Sequence, residues 1–139
     1  PVYEKGSQQN ILFMKNLIKG NKKFKFVPSL GFKNYFKILN ETKFVIGNSS
    51  SGIIEVPYFR IPTINIGKRQ DGRFQHFSII NSNCKENEIK KSIKLALSKR
   101  FNEKIIKMKL YFGNGKTSEK ILKFILRHMK NENKLINKL

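Results

Sequence analysis

Three consecutive hydroxyls, Ser49-Ser50-Ser51, lie between Gly47-Asn48 and Gly52, directly after the apolar run Phe44-Val45-Ile46, and an acid, Glu55, stands three residues beyond the second glycine. A second polar stretch, Gly67-Lys68-Arg69-Gln70-Asp71-Gly72-Arg73, follows Thr63-Ile64-Asn65-Ile66. The order apolar run, hydroxyl-rich turn, apolar-periodic stretch reads as strand, turn and helix start. The first N–H groups of a helix lack intrahelical partners, so a diphosphate placed there is hydrogen-bonded and charge-compensated at once. A carboxylate one turn further on, Glu55, is placed to accept from ribose hydroxyls; its bland alternative is a capping or surface acid. Arg69 offers a planar fork of donors suited to phosphate oxygens. An exposed arginine is ordinarily just solvated, and it is the place at a second strand end that singles out Arg69, with Arg73 the lesser candidate. The chemistry this set suits is recognition of a sugar nucleotide.

Elements must hold these residues. Helical spacing of Ile11, Met14 and Ile18 predicts a helix over Gln8–Lys19, ended by Gly20. Lys23–Val27 reads as a short strand and Lys33–Asn40 as a helix with Tyr35, Phe36 and Leu39 inward. Lys43–Ile46 is then the buried strand feeding the serine turn, and Ile53–Tyr58 a brief helix interrupted by Pro57 and Pro62. Strands are expected at Thr63–Ile66 and Phe77–Ile80, and amphipathic helices at Glu86–Lys99 and Ser118–Lys130, with a polar, fraying tail over Asn131–Leu139. Strands alternating with helices predict an α/β fold with a parallel sheet covered on both faces. Ligands of such sheets sit outside the carboxyl ends of the strands, where Gly47 and Gly67 both fall. Gly113-Asn114-Gly115-Lys116-Thr117 is not a phosphate-binding P-loop, because Leu110 stands where that motif requires glycine. Its glycines make a turn, and Thr117 or Ser118 caps the helix that follows.

A chain of 139 residues, 39% hydrophobic, suits one domain with one core. It opens on Pro1 without a charged-then-apolar leader, and its early apolar run, Ile11 to Met14, is too short for a membrane helix. The expectation is a soluble, cytoplasmic piece of a longer protein. The single Cys84 rules out an internal disulfide and a multi-cysteine metal site. His76 and His128 have no ligand spacing and read as surface or boundary residues, so neither a metal nor a cofactor is expected, and no catalytic residue is assigned. The formal charge of +20 raises nucleic acid as a partner. The lysines are spread along nearly every segment and no aromatic-interleaved motif accompanies them, which favours solvated basic faces. Neither nucleic acid nor membrane is expected to bind.

The run Val45-Ile46-Gly47-Asn48-Ser49-Ser50-Ser51-Gly52-Ile53-Ile54-Glu55, followed by Pro62-Thr63-Ile64-Asn65-Ile66-Gly67-Lys68-Arg69-Gln70-Asp71-Gly72-Arg73, closely resembles the hydrolysing UDP-N-acetylglucosamine 2-epimerases of the sialic and legionaminic acid type. Tyr111-Phe112-Gly113-Asn114-Gly115 resembles that family's late Tyr-Gly-x-Gly turn, and Pro1-Val2-Tyr3-Glu4-Lys5-Gly6-Ser7 a variant of its Pro-Asn-x-Asp-x-Gly loop, with Val2 and Glu4 departing from the pattern. The resemblance implies the C-terminal, UDP-binding part of a two-domain GT-B-like enzyme: a partial Rossmann-like domain over residues 1–130 and a tail over 131–139. It also implies that Ser49, Ser50 and Gly52 hold the diphosphate, Glu55 the ribose, and that Arg69 lies at the nucleotide or phosphate, with Val27 and Tyr35 near the uracil. The implied partners are a UDP-sugar substrate and the N-terminal domain of the same enzyme, which carries the catalytic carboxylates, and a homo-oligomer is compatible with the pattern. Two alternatives stand beside it: the donor domain of a GT-B glycosyltransferase, which usually lacks both long segments, and a basic nucleic-acid-binding module resting on charge alone.

Overall fold

The computed structural model describes residues 7–136. The chain divides into two compact units, Pro1–Thr42 and Lys43–Leu139. In the first, helix α1 (Ser7–Ile18) is followed by an irregular segment and helix α2 (Gly31–Glu41). Gly20 takes a positive φ of 80°, which turns the chain after α1 without the steric cost a side chain would meet. The strand expected at Lys23–Val27 does not form. A strand exists through its ladder of hydrogen bonds to a neighbour, and here the backbone N–H groups of Lys23 and Phe24 are taken by the side chain and carbonyl of Asn21 in a turn. Phe24 and Val27 stay exposed. On α2, Leu39 is buried, as its spacing predicts, while Tyr35 and Phe36 are half-buried with their rings 5.9 Å apart.

The second unit carries the sheet, with strands β1 (Val45–Gly47), β2 (Thr63–Ile66) and β3 (Ile79–Ser82) in the order β1-β2-β3, all parallel. Between β1 and β2 lie the short helix α3 (Ser50–Ile54) and one turn of 3-10 helix (Val56–Phe59), the latter tightened by Pro57. Helices α4 (Glu86–Ala96), α5 (Lys99–Lys107) and α6 (Thr117–Ile136) complete the unit. Side chains alternate across a strand, and the two faces of β2 have different neighbours. Ile64 packs with Ile80 of β3 and Ala96 of α4, with Ile66, Ile93, Phe44 and Phe101 around them. On the opposite face, Thr63 Oγ1 donates to the Gly52 carbonyl of α3 at 2.8 Å. Helices thus cover both faces, and the arrangement is an α/β, Rossmann-like parallel sheet.

Several boundaries differ from the sequence reading. β3 lies two residues later than Phe77–Ile80, because the N–H of Ile79 closes a turn on the His76 carbonyl before pairing begins. β1 is half-exposed rather than buried, since it is an edge strand with β2 as its partner, and Ile46 remains 47% exposed. The helix expected over Glu86–Lys99 stops at Ala96, and Ser98 takes an extended backbone that starts α5, an element the periodicity did not signal. Arg60, in the left-handed region at φ 59°, sends its guanidinium to the carbonyls of Ile105 and Met108 at the end of α5. A cation there satisfies orphan carbonyls and opposes the negative end of the helix dipole. Helix α6 runs to Ile136, and Ile121, Leu122, Ile125 and Met129 on it are exposed.

Candidate functional site

Parallel pairing puts the two polar segments side by side. Gly47, at the carboxyl end of β1, is in register with Asn65, two residues before Gly67 at the end of β2. The serine turn and the arginine loop therefore leave neighbouring strands at the same edge of the sheet. Gly67 turns the chain off β2 with a φ of 74° while its N–H continues the ladder to the Ser82 carbonyl at 2.9 Å. From the loop that follows, Gln70 reaches back and donates through Nε2 to the backbone carbonyl of Asn48 at 2.7 Å, tying one polar segment to the other across 22 positions of sequence.

The hydroxyl that caps α3 is Ser49, whose Oγ accepts from the Ser51 N–H at 3.3 Å. The helix begins at Ser50, earlier than the sequence reading placed it, because an N-cap serine needs no apolar residue beside it to end the strand and start the helix. Gly52 is buried, and a Cβ at this position would lie 2.8 Å from Thr63 Cγ2, so α3 approaches β2 as closely as it does only because this residue has no side chain. Glu55 stands at the end of α3, half-buried, and accepts from Ser51 Oγ at 2.7 Å through Oε2. Ser49, Ser50 and Arg69 are exposed. Val27 and Tyr35 belong to the first unit, Val27 in its irregular segment and Tyr35 on α2. Of the segment Pro1–Ser7, only Ser7 falls within the described residues, where it opens α1.

An aromatic cluster flanks the arginine loop. His76 was expected at a surface or boundary and is instead 3% exposed, ringed by Phe74, Phe112, Tyr111 and Tyr58 at centroid distances of 5.5, 4.9, 5.8 and 6.3 Å. Its Nε2 accepts from the Tyr111 backbone N–H at 3.1 Å, which places the proton of the neutral ring on Nδ1. Burial, and then the positive Arg60, hold its pKa below the ordinary value of 6.5, with the Ile53 backbone acting in the opposite direction. Tyr58 donates through its hydroxyl to the Gly113 carbonyl at 3.0 Å, so the Tyr111–Gly115 turn is fastened to the 3-10 turn after α3. A hollow of about 380 Å³ lies between Ile53, Ile54, Arg73, Phe74 and Phe112. The sequence gives neither Gln70 nor His76 a role in the site. Gln70 carries no signal among its polar neighbours, while the flanking Phe74 and Phe77 are the one hint that His76 is inside.

No group of three or more His, Cys, Asp or Glu residues converges as a metal site among the described residues. Among the same residues no helix is long and apolar enough to cross a membrane.

Comparison with known proteins agrees with the two long motifs. Residues 3–126 match the UDP-N-acetylglucosamine 2-epimerase family. The chain is 35% identical over 126 residues to the GDP/UDP-N,N'-diacetylbacillosamine 2-epimerase (hydrolyzing) of Campylobacter jejuni, covering 91% of this chain and 32% of that protein. It is 32% identical over 113 residues to the UDP-N,N'-diacetylbacillosamine 2-epimerase (hydrolyzing) of Legionella pneumophila, covering 79% and 29%. It is 38% identical over 76 residues to the UDP-N-acetylglucosamine 2-epimerase of Neisseria meningitidis, covering 55% and 20%. The chain thus spans about a third or less of the length of these relatives. With the serine turn and the arginine loop set side by side on a Rossmann-like sheet and the match running through nearly all of both units, the chain belongs to the UDP-N-acetylglucosamine 2-epimerase family.

Proposed function

We propose that this chain is the C-terminal, nucleotide-binding part of a hydrolysing UDP-N-acetylglucosamine 2-epimerase. Ser49, Ser50 and Gly52 hold the diphosphate, Glu55 the ribose hydroxyls, and Arg69 the phosphate oxygens. The observation that carries this reading is the in-register pairing of β1 with β2, which brings the hydroxyl-rich turn and the guanidinium loop to one edge of the sheet. Ser51 then has a defined part as well: its hydroxyl bond fixes the rotamer of Glu55. The substrate is a UDP-linked N-acetylglucosamine or a diacetamido relative of it. The reaction eliminates UDP across C1 and C2 of the sugar and adds water to the resulting glycal, releasing the 2-epimer. Acid and base groups at C2 and C3 come from the N-terminal part of the enzyme, and this chain contributes stabilisation of the departing diphosphate.

Titration of the purified chain with UDP, and separately with a random DNA duplex at raised salt, tests the reading. UDP binding should persist at raised salt and be lost in Glu55→Ala, while duplex binding should fall steeply as salt screens it. Salt-resistant duplex binding without UDP binding would reassign the chain as a basic nucleic-acid module.

A further inference from the structure

We propose that Gln70 is a positioning residue, whose buried amide sets the spacing between the serine turn and the arginine loop so that both sets of donors meet one diphosphate. The proposal rests on the nucleotide reading above and adds a residue that touches no ligand. Gln70 is 2% exposed although Lys68, Arg69, Asp71 and Gly72 around it are all exposed. The loop is folded to aim it inward: the Asp71 N–H returns to the Lys68 carbonyl at 3.0 Å and the Arg73 N–H to the Gln70 carbonyl at 3.3 Å. These two turns point Gln70 in while leaving its neighbour Arg69 facing out.

The Asn48 carbonyl that receives the Gln70 amide lies one residue before the cap of α3. The amide thus holds the strand-to-helix turn by its backbone, next to Ser49 and Ser50. Burying a side-chain amide costs free energy unless its groups are paired, and Oε1 of Gln70 has no partner among the described residues. An aliphatic side chain of similar size would fill the same space without that penalty, so the amide is accounted for by the tether and not by packing. Register between β1 and β2 brings the loops to neighbouring positions, but strand pairing ends at Gly47 and Asn65. Beyond that point the tether defines the gap.

Gln70→Leu keeps the volume and removes the donor, and Gln70→Asn keeps the amide but shortens its reach by one methylene. Hydrogen exchange of the amides of residues 49–52 and UDP affinity are measured for the unsubstituted chain and both variants, with circular dichroism confirming the fold. In Gln70→Leu, exchange in the serine turn should quicken and UDP affinity fall, each by roughly tenfold, as for loss of one buried hydrogen bond. Amides of β2 and β3 should exchange as before, which separates a local tether from general destabilisation, and Gln70→Asn should fall between the two. Unchanged UDP affinity in a folded Gln70→Leu variant overturns the proposal, even if exchange quickens. Should Gln70→Leu fail to fold, unchanged exchange and affinity in Gln70→Asn overturn it instead. If the unsubstituted chain does not bind UDP, the nucleotide reading falls, and the exchange arm still decides whether Gln70 holds the turn.

Discussion

At the scale of single residues, His76 is placed where its protonation state matters to the fold. Its Nε2 is already occupied as an acceptor, so adding a proton there breaks the bond to Tyr111 and puts a second positive charge near Arg60. Because the folded state lowers the pKa below 6.5, the unfolded chain binds more protons in the interval between the two values. Its contribution is therefore fully present above pH 6.5 and lost as the pH falls through the lowered folded value. The melting temperature should drop on acidification below 6.5, by a few degrees more in the unsubstituted chain than in His76→Gln, which keeps a neutral acceptor and cannot titrate. Equal pH profiles for the two would show that the ring titrates freely. The hydrogen bond that Ser51 donates orients the Glu55 carboxylate at the end of α3.

At the scale of elements, α3 is the part of the site with least tolerance. It is five residues long, too short to stand by its own propensity. It is held by the Ser49 cap, by the Thr63 hydroxyl on the Gly52 carbonyl and by burial of Ile53. In Gly52→Ala the new methyl would meet Thr63, itself 2% exposed and so unable to swing aside. A loss of about 1–3 kcal/mol is expected, the range for overpacking, read from urea unfolding. Substitution of Gly115, where nothing lies within 4 Å, should cost only the strain of its positive φ. The amphipathic patterns of α4 and α6 were legible in the sequence, as was β2, whose residues Thr63 to Asn65 are all buried. The break between α4 and α5 was not, because Leu97 and Ser98 fit a continuing helix as well as an ending one. Asn102, whose amide donates to the Ala96 and Ser98 carbonyls at 2.8 and 2.9 Å, and Ser98, whose hydroxyl donates to the Leu95 carbonyl at 2.8 Å, fix the join.

At the scale of the molecule, the chain carries the sheet edge proposed for the nucleotide and spans about a third or less of its relatives' length. Binding and turnover should therefore separate. The purified chain should bind UDP yet release none from UDP-N-acetylglucosamine, as followed by a coupled assay for free UDP. Turnover by the chain alone would move acid–base groups into these 139 residues and overturn the division of labour proposed above.

The sequence by itself determined the strand–turn–helix order around Ser49–Ser51, the strand at Thr63–Ile66, the two amphipathic helices and the family, because hydrophobic period, capping residues and motif order are properties of neighbours along the chain. Only the tertiary structure decided that β1 is an edge strand, that Lys23–Val27 forms no strand, that His76 is interior, and that Gln70 joins the serine turn to the arginine loop. Those depend on which groups meet across 22 to 35 positions, and such meetings are set by strand register and by the closing of turns in space.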